Sequence, residues 1–439
     1  MKVDARTRAA RSGYAVLLLA LVAMSAILAT LAVSGVAGFF RSSNNPATRS
    51  TETGSFVPVP RHPKVVVMPW SWQQELSFYD PPYPLPKDAP GTLLRIQRVA
   101  PNVDVPDNAV AWRILYVSRS QTGSEVADSG LFFAPRGAAP ASGFPLVDSA
   151  HATTGLAAAC APSRFDDLEY VMDLPDLLAR GYAVVAPDYE ALGTPGTDPY
   201  LVGASEAHSV LDAARAAREV PGVEVSNRVA IFGFSEGGHS AIFAGQYAPG
   251  YAPDLDVVGV VALAPAVSMP SLMERVESAS SFNSYFMTVA YAWSNAYLDL
   301  PLASVASSLA IQHDSVMTYE CELQIQAAYG AWSPTLLQAA GLSTNPAWIR
   351  HIRENDPGHA PVAAPMFVGQ GSDDITMPYQ LVEQFARTAC RTEHDRIDFR
   401  LYTGAGHGSI VQASSSDVED WISARFGDEQ VPAGCEGLA

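Results

Sequence analysis

Residues Val229–His239 read VAIFGFSEGGH, an apolar run that ends in the pentapeptide Gly-Phe-Ser-Glu-Gly followed by Gly-His. The apolar part has the length and composition of a buried strand, and a helical pattern follows Ser235. A serine held in Gly-x-Ser-x-Gly between a strand and a helix occupies a strained turn, and the small flanking residues let neighbouring backbone approach closely. Because this context makes the pentapeptide specific, the stretch predicts a nucleophile elbow with Ser235 as the nucleophile.

Short apolar runs alternate with helical patterns over most of the chain. Three β-type runs separated by Pro and Gly come first and predict an antiparallel opening section: Leu93–Val99, Ala111–Val117 and Ser129–Ala134. The later runs are mostly apolar: Phe144–Val147, Tyr182–Ala186, Val229–Phe234, Val257–Leu263, Met366–Val368 and Ile397–Tyr402. Helical stretches lie between several of them: Val171–Arg180, Ala204–Val220, Gly238–Tyr247 and Tyr379–Cys390. This alternation predicts an α/β fold whose mostly parallel central sheet is flanked by helices.

A nucleophilic serine needs a base, and in the α/β-hydrolase fold the triad follows in the order Ser, acid, His. His407 fits this order, because it lies in the small-residue loop Gly404–Gly408 directly after the run Ile397–Tyr402. The carboxyl end of a parallel strand is where ligands bind in open sheets. The sequence therefore predicts His407 as the base for Ser235.

Two neighbouring aspartates compete for the position of the orienting acid. Asp373 and Asp374 both follow the run Met366–Val368 and precede Pro378. The pattern Gly-x-x-Asp-x-x-apolar-Pro places Asp374 at the turn and favours it, with Asp373 as the alternative. An aspartate in this role fixes the imidazole tautomer and stabilises the imidazolium that forms.

An oxyanion formed during acyl transfer needs preorganised hydrogen-bond donors. The backbone N–H of Glu236 is the first candidate, because it follows the nucleophile directly. The second donor is expected from a loop after an earlier strand, and the segment His151–Gly155 follows the run Phe144–Val147. Thr154 is the candidate in this segment, through its N–H or its hydroxyl. Chemistry of this kind requires no cofactor and no metal ion.

One interval interrupts the alternation of strands and helices. Between Pro265 and about Pro361 the sequence shows no convincing strand pattern but has helix-compatible segments rich in apolar and aromatic residues, such as Phe282–Leu298. One interpretation is an ordinary helical subdomain. Its position between the predicted nucleophile and the acid loop favours a cap at about residues 268–360, whose inner face receives an apolar acyl group.

The N-terminal sequence indicates export. Segment 1–12 is basic, and Gly13–Phe40 carries no charge over a length nearer to a membrane-spanning helix than to a cleavable signal. The basic segment is expected in the cytoplasm, so a signal anchor is favoured, with a cleaved signal peptide as the alternative. A linker at 41–73 and a catalytic domain at 74–439 are predicted to follow. The catalytic domain is thus expected outside the cytoplasmic membrane, either in contact with it through an N-terminal anchor or secreted.

Charge and cysteine content narrow the classes of partner and site. The net charge of −18 argues against nucleic acid as a partner, because phosphate binding needs clustered Lys and Arg. The cysteines have no zinc-ligand spacing, and outside the cytoplasm they predict two disulfides with three possible pairings, or alternatively four buried thiols. They are Cys160, Cys321, Cys390 and Cys435.

Several other polar residues are interpreted as structural. His239, one turn after Ser235, is expected to pack within its helix rather than to act as a base. His208, on a predicted helix, is expected to be a packed or surface side chain. Asp188 and Glu190 follow a predicted strand, and we expect them to fix a loop as hydrogen-bond acceptors rather than to take part in catalysis.

Separated patches of the sequence, from about Phe78 to the C-terminus, resemble the secretory lipase family of α/β-hydrolases. The patches are Phe78–Pro82, Pro90–Leu94, His151–Gly155, Cys160–Ser163, Pro187–Thr194 and Phe234–His239. The resemblance implies a triad at Ser235, Asp374 and His407, with a helical cap before the acid loop. It also implies the disulfide pairs Cys160–Cys321 and Cys390–Cys435.

Two features depart from the family pattern. Ala152 stands where family members often have Gly, which affects the loop expected to supply the second oxyanion donor. The uncharged run Gly13–Phe40 is longer than the short signal of freely secreted members, which favours a tethered enzyme.

The predicted function is that of an exported serine carboxyl-ester hydrolase, a lipase or esterase that cleaves lipid-like esters such as acylglycerols through an acyl-enzyme on Ser235. One alternative is an acyltransferase with the same fold and nucleophile. A second alternative is a catalytically silent, tethered binding protein.

Overall fold

The computed structural model describes residues 65–68, 77–430 and 435–438, all within the unit Pro60–Ala439. The predicted basic segment 1–12 and the signal anchor or signal peptide at 13–40 therefore lie outside the described residues. Within the described ranges, no helix combines the length and the apolar character needed to cross a membrane.

Eleven strands of the described chain form one mixed sheet in the spatial order 1-2-3-4-6-5-7-8-9-10-11. In chain order they are β1 Val66–Met68, β2 Leu93–Arg98, β3 Ala109–Arg119, β4 Glu125–Pro135, β5 Phe144–Ala150, β6 Ala183–Pro187, β7 Val225–Phe234, β8 Asp256–Leu263, β9 Met366–Gly371, β10 Ile397–Tyr402 and β11 Cys435–Glu436. Antiparallel pairing joins β2, β3, β4 and β6, whereas the pairs from β6 through β5 to β11 are parallel. The predicted antiparallel opening and parallel centre are confirmed.

Strand β1 corrects one prediction. Val66–Met68 falls within the segment 41–73 that was predicted to be a linker, but it pairs parallel with β2 at the edge of the sheet. A run of three strand residues beside the Pro-rich segment is too short to give a recognisable period-two pattern.

Twelve α-helices accompany the sheet in the described residues. They are α1 Leu174–Ala179, α2 Gly203–Ala217, α3 Glu236–Tyr251, α4 Met269–Ser278, α5 Asn283–Ala296, α6 Ser308–Gln312, α7 Val316–Tyr319, α8 Glu322–Tyr329, α9 Pro334–Leu337, α10 Pro346–Glu354, α11 Tyr379–Thr392 and α12 Ser409–Phe426. Helices α2, α3 and α11 pack on one face of the sheet, and α1 and α12 pack on the other.

The central strands are buried on both faces. Successive residues of a strand point to opposite faces, and Ile231 and Phe232 of β7 accordingly lie in the two different apolar clusters. Both side chains are fully buried. This two-sided burial explains why β7 reads as a nearly continuous apolar run rather than as an alternating one.

Helices α4–α10 all lie between β8 and β9, and we refer to residues 269–354 as the helical insertion. They enclose their own apolar cluster, in which the rings of Trp293 and Trp348 stack with a centroid distance of 6.1 Å. The indole N–H of Trp293 donates to the backbone oxygen of Tyr200, which lies in the α/β body. Leu156 and Leu201 from the body also belong to this cluster, so the insertion shares a core with the loops beneath it.

Two disulfides cross-link the described chain, with the pairing that the family resemblance implied. Cys160 pairs with Cys321 and joins a turn after β5 to the insertion. Cys390 pairs with Cys435 and joins α11 to β11. The alternative of four free thiols is therefore wrong.

Candidate active site

The backbone at Ser235 has the strained geometry expected of a nucleophile elbow. Strand β7 ends at Phe234 and α3 begins at Glu236, which leaves Ser235 between them with φ +60° and ψ −115°. This conformation is costly for a residue with a Cβ. A Cβ on Gly233 would overlap the carbonyl oxygen of Gly237, and a Cβ on Gly237 would overlap backbone at the end of β5. Both glycines are therefore needed for the turn to form.

Three side chains from distant parts of the chain meet at this turn. The Nε2 atom of His407 lies 2.9 Å from the Oγ atom of Ser235, and its Nδ1 atom lies 2.8 Å from Oδ2 of Asp374. All three residues follow parallel strands at the carboxyl edge of the sheet. Ser235 and Asp374 are buried, whereas the side chain of His407 is 21% exposed. The site thus opens on the imidazole side.

The environment of Asp374 suits a carboxylate that orients an imidazole. Its Oδ1 atom accepts hydrogen bonds from the backbone N–H groups of Thr376 and Met377, each at 2.8 Å. Burial raises the pKa of Asp374, but its interactions with His407, the Met377 amide and Gln370 outweigh burial and hold the pKa below its usual value. Asp373 is exposed and bonds to Ser372 instead. The contact to His407 is therefore made by Asp374 and not by its neighbour.

The two predicted oxyanion donors lie in different surroundings. Glu236 is the first residue of α3, so its backbone N–H has no acceptor within the helix and can meet a developing negative charge. Thr154 lies in the loop after β5, and its hydroxyl oxygen is buried without a hydrogen-bond partner. The backbone oxygen of Thr154 accepts a 2.8 Å hydrogen bond from the N–H of Glu322 in the insertion.

The side chain of Glu236 was not predicted to matter, because the motif assigns a role only to its backbone. It is buried, and burial, together with the charges of Asp198 and Glu206, raises its pKa well above the usual value. A neutral carboxyl group is the form that such an environment favours. No local signal in the sequence marks this, since a glutamate is usually exposed.

His239 and Asp188 make the structural contacts expected of them. The Nδ1 atom of the buried His239 lies 2.6 Å from Oε2 of Glu206, and its Nε2 atom lies 3.0 Å from the backbone oxygen of Asn355. Asp188 accepts hydrogen bonds from the hydroxyl of Ser129 at 2.6 Å and from the backbone N–H of Ser163 at 2.8 Å. These contacts occupy both ring nitrogens of His239 and fix the loop that carries Asp188.

A small pocket, with a cavity volume of about 20 Å³, lies beside the nucleophile. Its wall is mostly apolar, and the insertion supplies six of its thirteen residues; the lining residues are Tyr200, Leu201, Ser235, Glu236, Ala266, Leu272, Met273, Val276, Phe282, Tyr285, Val289, Thr376 and Met377. Within the described ranges, no group of three or more His, Cys, Asp or Glu side chains is arranged to hold a metal ion.

The fold matches that of solved α/β-hydrolases. Candida antarctica lipase A in its closed state superposes with a TM-score of 0.71 over 82% of this chain and 87% of that chain, at 20% sequence identity. The α/β-hydrolase fold predicted from the sequence is confirmed by this similarity.

Two curated relatives are similar in sequence over a shorter range. "Probable inactive lipase MT1628" of Mycobacterium tuberculosis (strain CDC 1551 / Oshkosh) is 29% identical over 214 residues, 45% of this chain and 47% of that protein. "Lipase A" of Moesziomyces aphidis is 27% identical over 194 residues, 42% of this chain and 41% of that protein. The chain thus spans less than half the length of each of these two relatives.

The family model described as "Secretory lipase" matches residues 167–434, a range that contains Ser235, Asp374 and His407 and covers more than half of the chain. The chain belongs to the secretory lipase family.

Proposed function

We propose that this protein is a serine carboxyl-ester hydrolase that cleaves lipid-like esters, such as acylglycerols, through an acyl-enzyme on Ser235. The main support for this proposal is the pair of hydrogen bonds that links Ser235 to His407 and His407 to Asp374. A relative of the chain is named a probable inactive lipase. The intact series of contacts in this chain supports an active enzyme rather than a silent binding protein.

The mechanism follows from the positions of these groups. His407 takes the hydroxyl proton of Ser235 at Nε2 while the oxygen attacks the ester carbonyl, and Asp374 stabilises the imidazolium through the Nδ1–H bond. The backbone N–H of Glu236 and a donor from Thr154 stabilise the oxyanion. The imidazolium then returns its proton to the leaving alcohol. Water activated by the same His407 hydrolyses the acyl-enzyme and regenerates the Ser235 hydroxyl.

The apolar lining of the pocket beside Ser235 favours a substrate with an apolar acyl group. Leu272, Met273, Val276 and Val289 present aliphatic side chains from α4 and α5, and Phe282 adds an aromatic ring. Burying an acyl chain against them contributes roughly 0.8 kcal/mol per methylene group. Membership of the secretory lipase family agrees with an ester of this kind.

We also propose that the enzyme works outside the cytoplasm. Two disulfides and the secretory family support an oxidising compartment. Retention by a signal anchor at 13–40, with cleavage as the alternative, remains part of this proposal.

A chromogenic-ester assay on the purified protein tests the function. Ser235→Ala is expected to lower kcat by roughly 10⁵–10⁶-fold, since the nucleophile is removed while the cavity stays intact. Ser416→Ala, on the exposed side of α12, is the matched control and is expected to keep wild-type activity. Equal hydrolysis by the wild type and Ser235→Ala would remove Ser235 from the mechanism.

A further inference from the structure

The insertion places one carboxylate beside the proposed active site. Glu322 is the first residue of α8, and its backbone N–H donates to the Thr154 oxygen at 2.8 Å. The preceding Cys321 is bonded to Cys160 and forms a β-bridge with Gly155. The backbone of Glu322 is thus held directly on the loop that carries the candidate oxyanion donor.

The side chain of Glu322 is only half satisfied. Its Oε1 atom accepts hydrogen bonds from the hydroxyl of Tyr285 at 2.8 Å and from Nε2 of Gln326 at 2.9 Å. Among the described residues no donor bonds to Oε2, and this atom is not among the fully buried atoms that lack a partner. Glu322 is partly exposed, so Oε2 is left as an acceptor for a molecule that enters from solvent.

Two observations place this carboxylate near the proposed active site. Tyr285, which bonds to Glu322, lines the same cavity as Ser235. The carboxylate also interacts electrostatically with the imidazole of His407; burial raises the pKa of Glu322, and Tyr285, Gln326 and His407 act in the opposite direction. Glu322 is therefore near the imidazole of His407 as well as near the pocket that Tyr285 lines.

The chemistry of the triad determines which part of a substrate lies near the imidazole. The imidazolium must reach the oxygen of the leaving alcohol to return its proton, so the alcohol part of the ester lies next to His407. The acyl part occupies the apolar wall of the cavity.

We propose that Glu322 is a specificity-determining residue that accepts a hydrogen bond from a free hydroxyl on the alcohol part of the ester, as in a partial acylglycerol. This inference rests on the proposed function. An ester with a free hydroxyl next to the cleaved bond is then favoured over an ester of the same size that lacks this donor. Binding of the ester without the donor would leave Oε2 of Glu322 desolvated and without a hydrogen-bond partner.

Two esters of the same fatty acid test the hydrogen bond from the substrate hydroxyl to Glu322. The 2-hydroxyethyl and 2-methoxyethyl esters differ in a single hydrogen-bond donor, and the measured quantity is the ratio of their kcat/KM values. We expect the wild type to favour the hydroxyethyl ester by about tenfold, the discrimination that one hydrogen bond to a charged group supplies. Glu322→Gln is expected to bring the ratio close to one, because it replaces the acceptor Oε2 by an NH2 group that cannot accept a hydrogen bond, while the remaining oxygen keeps the contacts of Oε1. Glu320→Gln, at an exposed position two residues earlier, is expected to keep the wild-type ratio.

The outcomes separate this inference from the proposed function. Titration of Ser235 with an organophosphonate gives the fraction of each variant with an assembled site, and rates are normalised to it. A wild-type ratio near one, or an unchanged ratio in Glu322→Gln, would overturn the role of Glu322 while ester hydrolysis stands. If the wild type hydrolyses neither ester, the proposed function is wrong and this inference fails with it.

Discussion

The Nδ1 atom of His407 lies 2.8 Å from Oδ2 of Asp374, although the two residues come from loops after different strands. The pairing of β9 with β10 brings these loops together, because in parallel register both strands end at the same edge of the sheet. Two backbone N–H groups hold Oδ1 of Asp374, which leaves Oδ2 directed at the imidazole. The orientation of the proposed base is therefore set by the sheet and by one tight turn.

The neighbouring aspartates allow a matched test of this contact. Asp374→Asn keeps the shape of the side chain but favours the wrong imidazole tautomer, and we expect kcat to fall by about 10⁴-fold. Asp373→Asn should stay within about twofold of the wild type, since the exposed Asp373 does not contact His407. Steady-state ester hydrolysis by both variants checks the prediction. A larger loss in Asp373→Asn than in Asp374→Asn would reverse the assignment.

A buried carboxyl in the sheet predicts a dependence of stability on pH. Asp128 of β4 is fully buried, and burial raises its pKa to about 8. In the unfolded chain its pKa is about 3.9, so between these values the folded state binds one more proton than the unfolded state. The contribution of Asp128 to the free energy of unfolding is therefore fully present below about pH 4 and is lost as the pH rises towards 8.

Asp128→Asn isolates this effect, because the amide cannot ionise and its oxygen can still accept the hydrogen bond from the Ser209 hydroxyl. We expect the free energy of unfolding of the variant, relative to the wild type, to increase steadily from pH 5 to pH 8. Urea unfolding at four pH values in that range gives the difference directly. Parallel curves for the two proteins would show that Asp128 does not titrate differently on folding.

The parts of the structure that depend on local patterns could be predicted from the sequence. Strand β10 begins at Ile397 and ends at Tyr402, as its apolar run indicates, and Ser235 lies at the predicted strand–helix junction. His407 could also be predicted, because the loops after the carboxyl ends of parallel strands carry functional residues in this fold. Such features need only the periodicity and turn chemistry of neighbouring residues.

The parts that depend on long-range contacts could not be predicted. Nothing near Glu322 in the sequence marks it as a candidate site residue, because a disulfide between positions 161 residues apart holds its backbone on the loop that carries Thr154. Helices α6 and α7 are too short to show a helical period, so the sequence indicated helical character in the insertion but not its course. The burial of Glu236 likewise results from tertiary packing around an elbow whose motif concerns only the backbone.

The two disulfides are expected to contribute differently to activity, because only one of them adjoins the proposed active site. Replacing Cys160 and Cys321 together by Ser frees the backbone of the insertion from the loop that carries Thr154, so we expect lower kcat/KM per assembled site as well as a loss of about 2–5 kcal/mol in stability. Replacing Cys390 and Cys435 together is the matched control, since this pair joins α11 to β11. It should lower stability but leave kcat/KM per assembled site near that of the wild type.

Thermal unfolding and ester hydrolysis, normalised by phosphonate titration of Ser235, separate the two effects. Equal losses of kcat/KM in both double variants would mean that the Cys160–Cys321 bond has no special role in holding the insertion at the site.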